Sequence, residues 1–471
     1  MATQQQPQDP DIPKRWPLII LPENRQEDTT LDARLVNAYM EKDARGDYVL
    51  VQRPGLSNYS QPSGSTGTGR GVYNWKSNVY SIVNGTLYKG TTSKGSVDTT
   101  NGVYRFSSCM GVTPKLQLGN GVKAYNYDDS AGLVQITDVD FPAAFVKGWA
   151  YLDQTTYVMD SEANIQGSGL DDPTSWAASN LTIAYIEPDD GVALAKQLVY
   201  VVAFKQWSSE IMYDAGSTPA PLGRVQGAKV NYGCASADSV RDLDGALFWL
   251  STNRDAAVQV VKLENLKAEV VSSPAIDKLL SEADLTTVYS WTLKLGGHRW
   301  YAVTITASNI TLVYDVSTSM WAQWTDEDGN YLPYVASTYV TVSGSPTTVL
   351  QHASNGRLCQ FKASNTSDTG GLITVDIYTP NFDGGVSNRK ALARMFFDTD
   401  QVTGSTLQVR CNDHDYAAGK WTNFRNVDLG QSRPFLDKCG SFLRRAYNFR
   451  HRGNTRFRIR AVDLQIALGT A

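Results

Sequence analysis

From Leu35 to about Ala363 short apolar runs alternate with turn residues, as in Val79–Val83, Leu198–Phe204 and Tyr301–Ile305. Each run has the length of an ordinary strand and none carries a long helical period. Asn-Gly and Asp-Gly pairs at Asn84-Gly85, Asn101-Gly102, Asn120-Gly121, Asp244-Gly245, Asp328-Gly329 and Asp383-Gly384 supply the positive φ that tight hairpins need. The runs group into units at a spacing of roughly 35–45 residues, as propeller blades do. That spacing predicts blades near 71–110, 120–160, 190–235, 237–273, 286–325 and 331–363, and leaves open whether first and last blades exchange a strand. Between Ser273 and Leu285 the pattern changes to a helix, with Ser273 as N-cap, Pro274 in the first position and Ile276, Leu279 and Leu280 on one face.

Beyond the Gly/Ser/Thr-rich stretch 364–371, new strands are expected at Ile373–Tyr378, Ala391–Asp398, Leu407–Cys411 and within 442–468. These read as a β-sandwich-like domain. In Arg456-Phe457-Arg458-Ile459-Arg460-Ala461 strict alternation places three guanidiniums on one face. The apolar parity then passes to Val462, Leu464, Ile466 and Leu468, which predicts a bulge or a change of packed face near Ala461–Val462. The Gln/Pro-rich start has no periodic apolar face. The expected architecture is therefore all-β: an extended N-terminal arm (1–34), a β-propeller-like domain (35–363) and a C-terminal β-sandwich-like domain (364–471).

Composition narrows the function. The 471 residues carry 43 Lys+Arg against 47 Asp+Glu, a net charge of −4, which argues against a surface that binds nucleic acid all over. Five scattered cysteines without a CxxC suit free thiols in a reducing cytosol. The first apolar run, Leu18–Leu21, is too short for a signal peptide or a membrane span, so a soluble protein made in the cytoplasm is expected.

Candidate chemistry is sparse. The four histidines, His298, His352, His414 and His451, have no metal-ligand spacing among them. Cys411-Asn412-Asp413-His414-Asp415 reads as a turn more readily than as a ligand set. Asp171 and Asp172 are adjacent carboxylates on an extended chain, and so point apart rather than flanking one bond. No phosphate-cradling glycine motif is present. No catalytic, cofactor or metal residues are assigned, and the protein is expected not to be an enzyme.

The strongest local feature is charge. Between Arg433 and Arg460 nine basic residues meet one acid, Asp437. Arg444, Arg445, Arg450, Arg452, Arg456, Arg458 and Arg460 are therefore the candidate subunit-interface residues. A solvated strand face and contact with DNA phosphates are the competing roles for them.

Several segments, taken in order, resemble the tail hub or packaged-DNA stabilisation proteins of short-tailed bacteriophages. They begin with Leu35-Val36-Asn37-Ala38-Tyr39, Val51-Gln52-Arg53-Pro54-Gly55-Leu56, and Gly71-Val72-Tyr73 through Asn84-Gly85-Thr86-Leu87-Tyr88-Lys89-Gly90. Leu170-Asp171-Asp172-Pro173-Thr174-Ser175-Trp176, Glu187-Pro188-Asp189 and Ser209 to Gly216 follow. Arg224 to Gly227, Gly233-Cys234-Ala235, Leu247 to Leu250, Gly297 to Tyr301, and Val313-Tyr314-Asp315 with Trp321 complete the series. Ile186-Glu187 stands where the family has Ala-Glu before Pro-Asp.

The resemblance implies a structural protein of the virion tail: a hub or nozzle subunit, in a homo-oligomeric ring, taken as a hexamer, below the portal and its adaptor. Such a ring extends the DNA channel and helps to retain packaged DNA. The implied partners are the portal adaptor, with a tailspike or tail fibre and a tail needle or plug, and genome DNA passing without sequence-specific binding. It implies no catalytic residues and no cofactor. The rival readings are a tail-associated propeller that hydrolyses glycans and one that binds carbohydrate on its Trp and Tyr faces.

Overall fold

The computed structural model describes residues 15–21, 33–60, 66–255 and 257–469, and the chain divides into two compact units. One comprises Leu56–Ser317 and Tyr331–Lys362; the other combines Met1–Gly55, Thr318–Asn330 and Ala363–Ala471.

The first unit is a propeller. It contains six four-stranded antiparallel sheets and, between the fifth and the last of them in sequence, a three-stranded meander of Val288–Leu295, His298–Ile305 and Ile310–Asp315. Middle strands are covered on both faces, so they read as continuous apolar runs rather than alternations. Tyr200–Lys205 and Ala246–Thr252 are buried almost throughout, and Phe204 and Trp249 meet edge to face with centroids 4.9 Å apart. The turn at Asp244-Gly245 has φ of 57° and 83°, the positive pair that a two-residue hairpin requires.

Sheet count departs from expectation in the first third. Between Gly69 and Ile183 the chain makes three sheets, starting at Gly69, Arg105 and Ala150, where the spacing predicted two blades. The second of these is built from strands of only four or five residues, Arg105–Ser108, Leu116–Gly119, Ala124–Asp128 and Gly132–Gln135, which shortens its repeat. The helix forms over Pro274–Ser281 with Ile276 and Leu280 buried, although the Ser273 side chain makes no capping bond.

Closure of the propeller uses a strand exchange that the sequence left open. Gly55–Ser60 is the fourth strand of the last sheet, beside Leu358–Lys362. Gln351 of that sheet is fully buried; its side-chain oxygen accepts from Gly71 N at 2.7 Å and its amide donates to Ile82 O at 2.9 Å.

The second unit is a sandwich of two sheets. In one, Ala38–Lys42, Tyr48–Gln52, Arg458–Leu468, Lys390–Thr399 and Phe435–Asp437 lie side by side, with Arg15–Pro17 paired to Arg458–Leu468 and Ser441–Phe442 to Lys390–Thr399. The other runs Met320–Gln323, Arg34–Val36, Thr374–Tyr378, Ala446–Arg452, Thr406–Asn412 and Arg425–Asp428. Phe397 of the first and Phe449 of the second meet with centroids 5.8 Å apart.

Residues 35–55 and 318–330, expected in the propeller, thus belong to the same unit as the C-terminal stretch. The reason is strand pairing: Leu35 stands opposite Ile377 and Leu50 opposite Ile459. Of the expected N-terminal arm, Arg15–Pro17 is a strand on Arg458–Leu468 with Leu18 and Ile20 buried, and residues 1–14 and 22–32 lie outside the described residues. The anticipated irregularity falls at Arg460, skipped in the register between Ile459 and Ala461, and Ala461 and Val462 are both buried.

Candidate assembly surface

The arginine-rich strands lie in the sandwich unit, and most of their charge is answered by acids from elsewhere in that unit. Arg445, 5% exposed, grips Asp413 with two bonds, Nε–Oδ1 at 2.6 Å and Nη2–Oδ2 at 2.8 Å, and lies over the Phe442 ring. Burial alone would lower its pKa, but the hydrogen bonds it donates to Asp413 help to raise it. Arg444 pairs with Asp415. Arg450 forks onto Asp376 at 2.9 and 3.1 Å and covers the ring of Phe424. Such two-point carboxylate contacts suit the planar guanidinium.

The remaining pairs are longer. Arg452 approaches Glu327 at 3.7 Å and Arg458 approaches Glu41 at 4.0 Å. Arg460 reaches Asp398 at 3.4 Å and Asp400 at 3.2 Å. Arg456 differs: it precedes the strand, is exposed, and has no ion pair among the described residues. The three guanidiniums at 456, 458 and 460 therefore do not form one strand face, because the strand begins at Arg458 and Arg460 sits in the bulge. Sequence reading saw the arginines but not the acids, since Glu41, Glu327, Asp376 and Asp398 come from distant segments.

The Cys411–Asp415 cluster takes its place here as well. His414 N donates to Asn412 Oδ1 at 2.7 Å in a turn, while Asp413 and Asp415 serve Arg445 and Arg444. No metal-competent group of three or more His, Cys, Asp or Glu occurs among the described residues.

Other singled-out motifs are structural devices within their units. Asp171, at φ 51°, accepts from Tyr151 OH at 2.6 Å, whereas Asp172 caps Thr174 N at 3.1 Å; the two carboxylates serve separate contacts. The same turn lets Trp176 Nε1 bond Pro173 O at 3.0 Å and meet Phe141 edge on. Glu187-Pro188-Asp189 and Glu210 surround Lys205, a residue that sequence reading missed. Lys205 is 0% exposed, and its ammonium contacts Asp189 Oδ1 at 2.9 Å, Glu210 Oε1 at 2.8 Å and Glu187 O at 2.7 Å. Ile186, the departure from the family pattern, uses only its backbone N, which donates to Glu210 Oε1 at 2.8 Å. In the sandwich unit, Arg53 of the Gln-Arg-Pro-Gly segment is buried and grips Asp368, with Nε on Asn37 Oδ1 at 2.8 Å.

The family model described as "Bacteriophage P22 Gp10, beta-propeller" matches residues 31–358. The chain belongs to this family. It is accordingly a phage structural protein of the DNA-stabilisation kind, a virion component that meets other phage proteins. Among curated proteins no sequence matches. Some solved structures are similar to the chain at low identity. The N-terminal domain of Nup159 is 10% identical, covering 70% of this chain and 100% of its own, with a TM-score of 0.39. Virginiamycin B lyase from Staphylococcus aureus is 7% identical, covering 65% and 98%, at 0.44. YCF48 bound to D1 peptide is 13% identical, covering 66% and 97%, at 0.38. At these scores the likeness carries no argument. No helix among the described residues of this P22 Gp10 family member is long and apolar enough to cross a membrane.

Proposed function

We propose that the chain is a subunit of the phage tail hub or nozzle: a homo-hexameric ring below the portal and its adaptor that extends the DNA channel and retains the packaged genome. Its membership of the P22 Gp10 family over residues 31–358 carries this reading. The paired arginines support it. A protein that must let DNA pass is served by few unpaired cations, because phosphate contacts are what hold DNA in place. The exposed Arg456 is free for an acidic neighbour in the ring, and heterologous ring contacts join unlike surfaces of identical subunits. The adaptor above, and a tailspike or fibre and a needle below, are the partners this position supplies. The role is mechanical, not catalytic; Asp171 and Asp172 are each engaged in a turn.

The test is reconstitution. Purified chain is added to phage particles assembled without it, the tail is imaged, and retained DNA is measured. Six copies below the adaptor with genome retention are expected. Failure to dock, or docking elsewhere in the virion, overturns the reading.

A further inference from the structure

The first strand of every propeller sheet lines one axial cavity of about 530 Å³, from Val72 in the first sheet to Tyr339 in the last. Four of its lining residues, Arg105, Lys147, Lys196 and Arg241, are cationic. Arg105, with a side chain 11% exposed, donates Nη2 to Ala237 O at 2.6 Å and lies 3.5 Å from Asp238. Lys147, 16% exposed, contacts the same carboxylate at 2.6 Å. Two cations thus share one acid, and burial lowers the pKa of Arg105 despite that acid. Arg241 has no carboxylate partner among the described residues: Nε and Nη2 donate to the carbonyls of Ser290 and Val335, both at 2.9 Å. Lys196 adds a fourth cation at 5.9 Å from the Tyr151 ring, against the single further acid Asp242.

Partly desolvated positive charge in excess is costly unless a counter-charge joins it. Polar groups converging in a cavity with aromatic walls are also the usual makings of a small-molecule site. Here Tyr73 and Phe106 stack with centroids 5.5 Å apart, and Tyr339 OH donates to Thr292 at 2.8 Å. We propose that the axial cavity binds a small anion bearing a carboxylate or phosphate group, held by Arg241 with Arg105, Lys147 and Lys196. Guanidinium pairs both oxyanion types in the same planar way, so the wall selects the charge and not its source.

The full chain is titrated calorimetrically with inorganic phosphate and, separately, with glucuronate, a carboxylate on a sugar ring. Saturable one-site binding of either probe is expected, and which probe binds assigns the class. Arg241→Gln should weaken it by about tenfold or more. Lys196→Gln, a change that removes no ion pair among the described residues, should weaken it less and leave melting unchanged, which keeps the test valid if Arg241→Gln disturbs packing. Absence of saturable binding by both probes overturns the proposal. So does binding that neither substitution alters, since the anion then sits elsewhere.

Discussion

Gln351, in the last sheet of the propeller, donates its side-chain amide to the backbone oxygen of Ile82 in the first, 2.9 Å away. Its other side-chain atom accepts from Gly71 N, so one buried residue satisfies two backbone groups where the ring of sheets meets itself. A residue of similar volume without these groups, Gln351→Met, leaves a donor and an acceptor orphaned. The expected loss is about 2–4 kcal/mol in urea unfolding. A loss under about 0.5 kcal/mol would mean that closure rests on the strand exchange alone.

Lys205 is the second pressure point. Lys205→Met leaves Asp189 buried without its cation and Glu210 with only Arg224 Nε at 3.5 Å, and should cost about 3–5 kcal/mol. Adding Asp189→Asn and Glu210→Gln removes the stranded charge, so the triple variant is expected to recover part of that loss. Equal unfolding midpoints for the single and triple variants would contradict this account.

His451 makes stability depend on pH. Burial lowers its pKa from the ordinary 6.5 to about 4, and its Nε2 contacts Ser405 at 3.0 Å and Thr455 at 3.1 Å. The neutral ring is the form that the fold accepts. Its stabilisation is complete above the unfolded pKa of 6.5 and drains as pH falls toward the folded value of about 4, by about 3 kcal/mol in total. Unfolding measured at several pH values between these limits should show a shallower decline for His451→Gln than for the parent protein, the carboxylates titrating in both. Parallel declines would remove His451 as the cause.

The arginine segment separates folding from assembly. Arg456→Glu touches no ion pair among the described residues, so melting should not move; if Arg456 meets an acidic neighbour, docking onto hub-less particles should fall, as like charges at a contact cost several kcal/mol. Reversing Arg458 and Arg460 also sets glutamates beside Glu41, Asp398 and Asp400, so the triple Glu variant should melt a few degrees lower before any docking is tested. Normal assembly of Arg456→Glu would remove it from the interface.

Strand content, the helix after Ser273 and the bulge close to Ala461 were legible because each is written in neighbouring residues: a turn pair, a cap with proline, a parity change. The first three sheets were harder, since strands as short as Leu116–Gly119 leave little period to count. What sequence could not supply were partners. Arg53 is answered by Asp368, Arg458 by Glu41 and Arg450 by Asp376, and nothing local to an arginine states which distant carboxylate will face it. The surplus of positive charge between Arg433 and Arg460 therefore read as a candidate subunit interface. The axial cations escaped notice for the converse reason: Arg105, Lys147, Lys196 and Arg241 are isolated in sequence and converge only when the first strands of successive sheets do.

The sandwich takes strands from both ends of the chain, with Leu50 standing opposite Ile459. Synthesis from the N-terminus therefore releases Tyr48–Gln52 long before its second neighbour, Arg458–Leu468, exists, and every strand of the propeller from Gly55 to Lys362 is made in between. The propeller is a long parenthesis inside the sandwich's own sentence. On the ribosome Tyr48–Gln52 can pair with Ala38–Lys42 alone until the last strand emerges, and a chain cut short anywhere before Arg458 leaves its other side as an open edge.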